Sequence, residues 1–172
     1  MRFVRYIFFI LILMGSTSIG FLLSKCCSDR LKELKSLANM INIFQNKIKF
    51  THKPLAEIFK EVALIRKDTH FSEIFIKTSQ KLKNKSAQLA WNEAISEGEF
   101  FLNLKNEDLN LIRTFGNMLG KTDVEGQISE INQFAILLNG QIEKAKDEEG
   151  KNSKMYKSLG TIVGLGIVIL LF

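Results

Sequence analysis

The chain has 172 residues, of which 46% are hydrophobic and 24% charged, and its formal net charge is +6. A mean hydropathy of +0.06 averages two apolar ends with an ordinary polar middle that is long enough to bury one small core. Because Arg2 and Arg5 lie outside that middle, it is only mildly basic, which argues against a nucleic-acid partner. A single proline, Pro54, and few β-branched alternations favour an all-α fold over a sheet.

The first apolar segment, residues 6–23, is uncharged and long enough for a transmembrane helix. Arg2 and Arg5 also form the basic start of a signal peptide, with a cleavage site near Ser18 as the alternative. Apolar residues resume at Ile19, beyond any such site. The sequence therefore favours an uncleaved N-terminal anchor.

The last segment, residues 158–172, carries no charged side chain. As a helix it rises only ~22 Å, against a hydrocarbon core of roughly 30 Å, so Lys154 and Lys157 must extend toward the headgroups if it is to cross. Both apolar segments contain small residues four apart, a spacing typical of packed membrane helices. We predict a transmembrane packing interface from these residues: Ser16, Gly20, Gly160 and Gly164.

Basic residues predict the orientation in the membrane. They flank the apolar segments mainly on the side of the middle: Lys25, Arg30, Lys32, Lys35, Lys144, Lys146, Lys151, Lys154 and Lys157. Only Arg2 and Arg5 lie at the outer ends, so the positive-inside bias predicts a cytoplasmic middle in a multi-pass membrane protein. The predicted divisions are an N-terminal anchor (1–24), a cytoplasmic helical bundle (25–157) and a C-terminal transmembrane helix (158–172).

Amphipathic stripes predict a bundle of about six helices. Their inward residues are, helix by helix, Leu31, Leu34, Ala38, Ile41 and Ile48; Leu55, Ile58, Phe59 and Val62; Phe71, Ile74, Phe75 and Leu82; Leu89, Ala90, Trp91 and Ile95; Leu109, Ile112, Phe115 and Leu119; and Val124, Ile128, Ile131, Ala135, Leu138, Ile142 and Ala145. Local signals set the boundaries. Pro54 suits a first turn, Ser86 an N-cap, and Gly98 and Gly120 helix ends.

The sixth helix is predicted to begin with a capping box of Thr122 and Glu125 and to continue into the last apolar segment. Its stripe resembles a coiled-coil seam for about three heptads. A tail-anchored coiled-coil tether is therefore a rival interpretation. The five other amphipathic segments also need burial partners, and they favour a bundle.

The sequence offers no constellation for catalysis, a cofactor or a metal. Residues 116–122 resemble a phosphate-binding loop but have three residues between the glycines where that loop needs four, so they predict a turn between helices. His52 and His70 have no partner at the spacing of a metal ligand or catalytic triad. Adjacent Cys26 and Cys27 predict unmodified thiols near the membrane surface, with reversible acylation as the alternative.

Three lysines, Lys81, Lys83 and Lys85, recur in one predicted turn between helices. The usual role of such a turn is a solvated surface. The sharper interpretation is that these lysines contact an acidic partner or anionic lipids.

Four segments in this order resemble the stage III sporulation protein AB family. They are residues 52–59 (HKPLAEIF), 90–95 (AWNEAI), 115–123 (FGNMLGKTD) and 154–160 (KMYKSLG). The resemblance covers nearly the whole chain. The two adjacent cysteines depart from it.

The resemblance implies a non-enzymatic scaffold in a secretion-like channel complex between mother cell and forespore, located in the mother-cell membrane that faces the forespore. It implies a helical domain like that of platform protein F of type II secretion and type IV pilus systems. The implied partners are a motor ATPase resembling stage III sporulation protein AA, other stage III sporulation channel proteins, and further copies of the chain. Those platforms have two helical domains and three spans, whereas this sequence predicts one domain and two spans.

Overall fold

The computed structural model describes residues 2–51, 53–67 and 69–171, without the side chains of residues 2–7, 153, 157 and 171. Within these ranges the chain forms six α-helices and one 3-10 turn, which confirms the predicted all-α class. The helices are α1 (Arg2–Thr51), α2 (Leu55–Ile65), α3 (His70–Lys81), α4 (Ala87–Gly98), α5 (Asn106–Asn117) and α6 (Val124–Leu171), with the 3-10 turn at Glu99–Phe101.

The chain divides into two compact units. The anchor unit comprises Met1–Leu31 and Lys144–Phe172, and the bundle unit comprises Lys32–Glu143. Helices α1 and α6 each contribute to both units. Helix α1 runs from an apolar segment into an amphipathic one, and α6 runs from an amphipathic segment into an apolar one. The predicted division at residues 24 and 157 stays a prediction about where the membrane ends.

An aromatic cluster forms the core of the bundle unit, and every helix contributes one ring to it. The rings, from α1 to α6, belong to Phe44, Phe59, Phe75, Trp91, Phe115 and Phe134, and all are fully buried. Ring centroids lie 4.6 Å apart for Phe44 and Phe59 and 5.1 Å apart for Trp91 and Phe115. Because burying one such side chain contributes about 1.5–3 kcal/mol, this cluster is a principal source of the bundle's stability.

The contact between α4 and α5 depends on a small residue. Trp91 donates its indole N–H to the carbonyl oxygen of Ile112 at 2.8 Å, so the polar atom of this buried ring is satisfied. A Cβ added to Gly116 would lie 2.8 Å from Cδ1 of Trp91. Gly116 therefore belongs to the helix packing and not to a phosphate-binding loop.

Contacts within the bundle unit define its two ends. At the proximal end, which contains its first residue, Lys32, the start of α3 lies against α1, since Nδ1 of His70 is 2.5 Å from Oε1 of Glu33. The end of α4 is also there, because a Cβ on Gly98 would meet Cγ1 of Ile74 in α3 at 2.8 Å. The distal end contains the turn between α3 and α4, about 18 Å away along α3.

Several predicted boundary signals are confirmed. The Ser86 hydroxyl accepts from the N–H of Leu89 at 3.4 Å. Pro54, predicted in the first turn of α2, lies one residue earlier, at the N-cap position, where its carbonyl oxygen accepts from the backbone N–H of Glu57 at 2.9 Å. Helix α4 ends at Gly98. Gly120, with φ of +74°, lies in the turn after α5, in a conformation that favours glycine.

The predicted start of α6 is wrong by one residue. Oδ1 of Asp123 accepts from the backbone N–H of Gly126 at 3.0 Å, so Asp123 caps the helix and not Thr122. A carboxylate directly before Val124 satisfies an unpaired N–H and also lies at the positive end of the helix dipole.

Two predicted core residues are exposed. Leu89 is 56% exposed because α4 buries Ala90, Trp91, Ala94 and Ile95, a face that Leu89 precedes by about 100° around the helix. Val124, 40% exposed, lies at the first position of α6. Other predicted core residues are half-buried: Ala38, Leu55, Leu82, Leu109, Ile128 and Ala135. The prediction missed seven buried apolar residues: Leu37, Met40, Phe44, Ala63, Ala94, Leu102 and Phe134.

Candidate functional site

Helices α1 and α6 are both long and apolar enough to cross a membrane. The best 18-residue windows, within Phe8–Thr51 and Val124–Leu170, have mean hydropathies of 1.7 and 1.3. Only 11% and 6% of these windows are buried within the chain. Their apolar side chains are thus mostly exposed, unlike those of a core helix in a soluble domain.

Small residues bring the two helices of the anchor unit into backbone contact. The Ser16 hydroxyl donates to the carbonyl oxygen of Gly160 at 2.5 Å. A Cβ added to Gly20 would lie 2.5 Å from the carbonyl oxygen of Tyr156 and 3.1 Å from Cα of Gly160. A side chain at Gly20 would therefore have to push the two backbones apart, as expected for small-residue packing of membrane helices.

Gly164 extends this contact by one turn. A Cβ there would lie 3.1 Å from Cβ of Ser16 and 3.5 Å from Cα of Leu13. By contrast, a Cβ at Gly15 or Gly166 would meet nothing within 4 Å. The structure thus brings together all four residues of the predicted interface, Ser16, Gly20, Gly160 and Gly164. Their role within a bilayer stays a prediction.

A buried ion pair lies in the same anchor unit. Nη1 of Arg30 is 2.6 Å from Oε2 of Glu148, and the Arg30 side chain is only 5% exposed. Because a buried guanidinium is costly unless it is paired, this contact with Glu148 offsets part of the cost of burying Arg30. The sequence analysis used Arg30 only to orient the membrane. Arg30 lies four residues before the stripe residue Leu34. This position on the stripe indicates burial, and the sequence analysis missed it.

The predicted lysine contacts lie at the distal end of the bundle unit, where two of the three are ion-paired. Nζ of Lys81 lies 2.8 Å from Oε1 of Glu97 and 3.1 Å from Oε2 of Glu93. Nζ of Lys85 lies 2.5 Å from Oε2 of Glu93. Lys83 is exposed. This arrangement leaves Lys83 as the member of the trio that points its charge into solvent.

Hydrogen bonds across this turn shift the titration of its charged groups. The bonds that Lys81 donates to Glu97 and then to Glu93 raise the pKa of Lys81. The bonds from Lys85 and then Lys81 lower the pKa of Glu93. All these groups are fully charged near neutral pH, so the turn is held by charge-assisted contacts.

The remaining candidates form no reaction site among the described residues. His70 and Glu33 line an open cleft of about 320 Å³, and within the described ranges no group of three metal-ligating side chains is assembled. Cys26 is exposed and Cys27 half-buried, and they are not joined in a disulfide. His52 lies outside the described residues.

These features define a class, an all-α protein with a bundle unit and two helices suited to crossing a membrane. The sequence model of one family, described as stage III sporulation protein AB, matches residues 5–172. The chain therefore belongs to the stage III sporulation protein AB family.

One relative agrees with this assignment, and one solved structure shares the fold. The chain is 27% identical over 164 residues to stage III sporulation protein AB of Bacillus subtilis (strain 168), covering 94% of this chain and 95% of the relative. It also matches a solved structure of a stage III sporulation protein AB with a TM-score of 0.66 and 22% identity, covering 72% of this chain and 98% of that one. The structural match shows the fold, and the family assignment supports a role in sporulation.

Proposed function

We propose that this protein is a non-enzymatic membrane scaffold of a sporulation-specific, secretion-like channel complex between mother cell and forespore. Its bundle unit would lie in the cytoplasm, with both apolar helices in the mother-cell membrane. There it would contact a motor ATPase resembling stage III sporulation protein AA, other stage III sporulation channel proteins and further copies of itself. The observation that carries the proposal is the backbone contact of Gly20 with Gly160, which joins two span-length apolar helices within a family of sporulation proteins.

The lysine turn is the best candidate for the ATPase contact. It lies at the distal end of the bundle unit. The opposite, proximal end contains Lys32, beyond which α1 leads back toward the first apolar segment. Lys81 and Lys85 are fixed by Glu93, so the backbone between them presents Lys83 with little ordering cost on binding. We propose an acidic protein surface as the target of the turn, with anionic lipid as the alternative.

Two observations favour the scaffold over its rivals. Ile131, Leu138 and Ile142 on the α6 stripe are buried in the chain's own bundle, so these residues are already occupied and cannot serve a tether seam. The Ser16 hydroxyl bonds to Gly160, and cleavage after Ser18 would remove this contact. The second observation favours an uncleaved anchor over an exported protein.

A binding measurement tests the ATPase contact. The full chain in lipid nanodiscs is titrated with the purified ATPase, and Lys83→Glu is compared with Lys60→Glu, which reverses an exposed charge on α2. We expect Lys83→Glu to weaken binding about tenfold, or about 1.4 kcal/mol, through repulsion of an acidic surface, and Lys60→Glu to have no effect. Absence of binding by the unaltered chain would refute the contact, and equal weakening by both variants would refute the lysine turn as its location.

A further inference from the structure

One side of the bundle unit is exposed and carries no charge. It is formed by neighbouring faces of α1 and α6, which lie side by side because Nε2 of Gln45 donates to Oδ1 of Asn132 at 2.6 Å. We call this area the neutral surface. Its exposed residues are Asn39, Asn42 and Asn46 on α1 and Ser129, Asn132, Gln133, Ile136, Leu137, Asn139 and Gly140 on α6.

The neutral surface differs from the rest of the bundle unit in its lack of charge. The nearest charges along its two helices are Lys35, Lys47 and Lys49 on α1 and Glu125, Glu130 and Glu143 on α6. The other four helices all expose charges on their outer faces, for example Lys60 on α2, Glu73 on α3, Glu97 on α4 and Glu107 on α5. Depletion of charged residues is the compositional mark of an interface core.

Two aliphatic side chains lie on the α6 part of the neutral surface. Ile136 is 70% exposed and Leu137 is 55% exposed, on the side of α6 away from buried Leu138. One turn further, a Cβ added to Gly140 would meet nothing within 4 Å, so the backbone of α6 is open to close approach there. The neutral surface therefore combines an apolar centre with an uncharged polar rim, as protein interfaces do.

The side chains of the neutral surface can each pair with a copy of themselves. A carboxamide carries both donors and an acceptor, so an Asn or Gln can hydrogen-bond to the same residue of a second molecule. A lysine or a glutamate repels its own copy. Because a two-fold interface brings the same patch of both molecules together, this composition fits a second copy of the chain. The formal net charge of +6 disfavours contact between copies over their charged surfaces.

We propose that the neutral surface is the contact between two copies of the chain, with Ile136 beside the two-fold axis. Stable interfaces use about 20–30 residues per partner, roughly twice as many as this surface offers, so the contact is weak between freely diffusing molecules. Copies confined to one membrane meet at a much higher effective concentration. The occupant is therefore another membrane-held copy and not a soluble partner. This inference rests on the proposed function, which includes contact between copies.

Cysteine crosslinking in vesicles tests the inference. Cys26→Ser and Cys27→Ser remove both native thiols, and Ile136→Cys supplies a new one. The full chain is reconstituted in phosphatidylethanolamine–phosphatidylglycerol vesicles that contain no other protein. Oxidation with copper phenanthroline is expected to convert a large share of the chain to a disulfide-linked dimer on a non-reducing gel.

Leu89→Cys in the same thiol-free background is the matched control. Leu89 is 56% exposed on α4, outside the neutral surface, so this variant is expected to stay monomeric. Absence of a dimer at Ile136, or equal amounts of dimer at both positions, would overturn the inference.

A charge exchange tests whether Ile136 meets its own copy. With Gln133→Cys as the reporter, adding Ile136→Lys or Ile136→Glu should each reduce the dimer about tenfold through like-charge repulsion. A mixture of the two variants should restore the dimer, since opposite charges then meet. Reduction without recovery in the mixture would contradict the placement of Ile136 beside the axis.

A wash of the same vesicles with alkaline carbonate separates the two proposals. Release of the unaltered chain would contradict the membrane scaffold itself, and with it the confinement on which the dimer depends. Retention of the chain without a dimer at Ile136 would contradict only the contact between copies at the neutral surface.

Discussion

At the residue scale, the sharpest electrostatic feature of the bundle is Glu61, which two lysines bracket. Nζ of Lys47 and Nζ of Lys53 both bond to its carboxylate, the latter at 2.5 Å. These bonds lower the pKa of Glu61 from its ordinary 4.5 to about 2. Because the folded pKa lies below the unfolded one, the contribution to stability is present above about pH 5 and is lost as the pH falls toward 2.

The first prediction follows from the unequal contributions of the two lysines to the lowered pKa of Glu61. Since Lys47 makes the larger contribution, Lys47→Met should raise the Glu61 pKa from about 2 toward 4.5 and move the loss of stability to higher pH. Titration of the Glu61 carboxyl carbon by NMR in detergent micelles measures it. Lys60→Met, on the same helix as Glu61, is the control, and an unchanged Glu61 pKa in Lys47→Met would contradict the ion pair.

At the scale of the helices, the anchor contact makes a second prediction. In Gly20→Val, the new Cβ would lie 2.5 Å from the carbonyl oxygen of Tyr156. This oxygen belongs to the backbone of α6, so it cannot rotate away as a flexible side chain would. We expect a loss of about 1–3 kcal/mol, typical of overpacking. Thermal unfolding of the full chain in micelles, followed by circular dichroism, measures the change.

Gly166→Val is the matched control for this contact. It adds the same side chain to α6 where an added Cβ meets nothing within 4 Å. Its unfolding temperature should stay near that of the unaltered chain. If both variants lost stability equally, intrinsic helix propensity and not the helix contact would explain the result.

Sequence periodicity predicted the helices well where one face of a helix is buried. It failed for α1, where Leu37, Met40 and Phe44 were missed. Phe44 contacts rings on three helices, α2, α3 and α5, so α1 is buried over a wider arc than a single stripe describes. The α6 stripe missed Phe134 because this ring reaches Phe115 from beside the heptad positions.

The sequence predicted the two helix surfaces of the candidate site but not their pairing. The spacing of Ser16 and Gly20, and of Gly160 and Gly164, marked each helix as suited to close packing, but spacing along one helix carries no information about its partner. The Arg30–Glu148 pair joins residues 118 positions apart, which no local pattern relates. Leu89 was assigned to the core on hydrophobicity alone, although large apolar residues are common on protein surfaces.

At the scale of the whole molecule, the charges around the apolar segments set the expected topology. Two spans would place both termini on one side of the membrane and the bundle unit on the other. Lys25 and Lys32 follow the first apolar segment on the side of the bundle unit, whereas only Arg2 and Arg5 precede it. Cys26 is exposed and lies between these lysines, so its reactivity reports on which side of the membrane the bundle unit lies.

The last prediction uses that thiol. In intact protoplasts, a membrane-impermeant maleimide should fail to label Cys26. It should label Cys26 after permeabilisation, because the positive-inside bias predicts that this segment lies in the cytoplasm. The control lacks both native thiols (Cys26→Ser with Cys27→Ser) and carries a cysteine appended after Phe172. The appended cysteine should be labelled in intact protoplasts, since the second span would return the chain to the outer side. Labelling of Cys26 in intact protoplasts would place the bundle unit outside the cell, where no cytoplasmic motor can reach it.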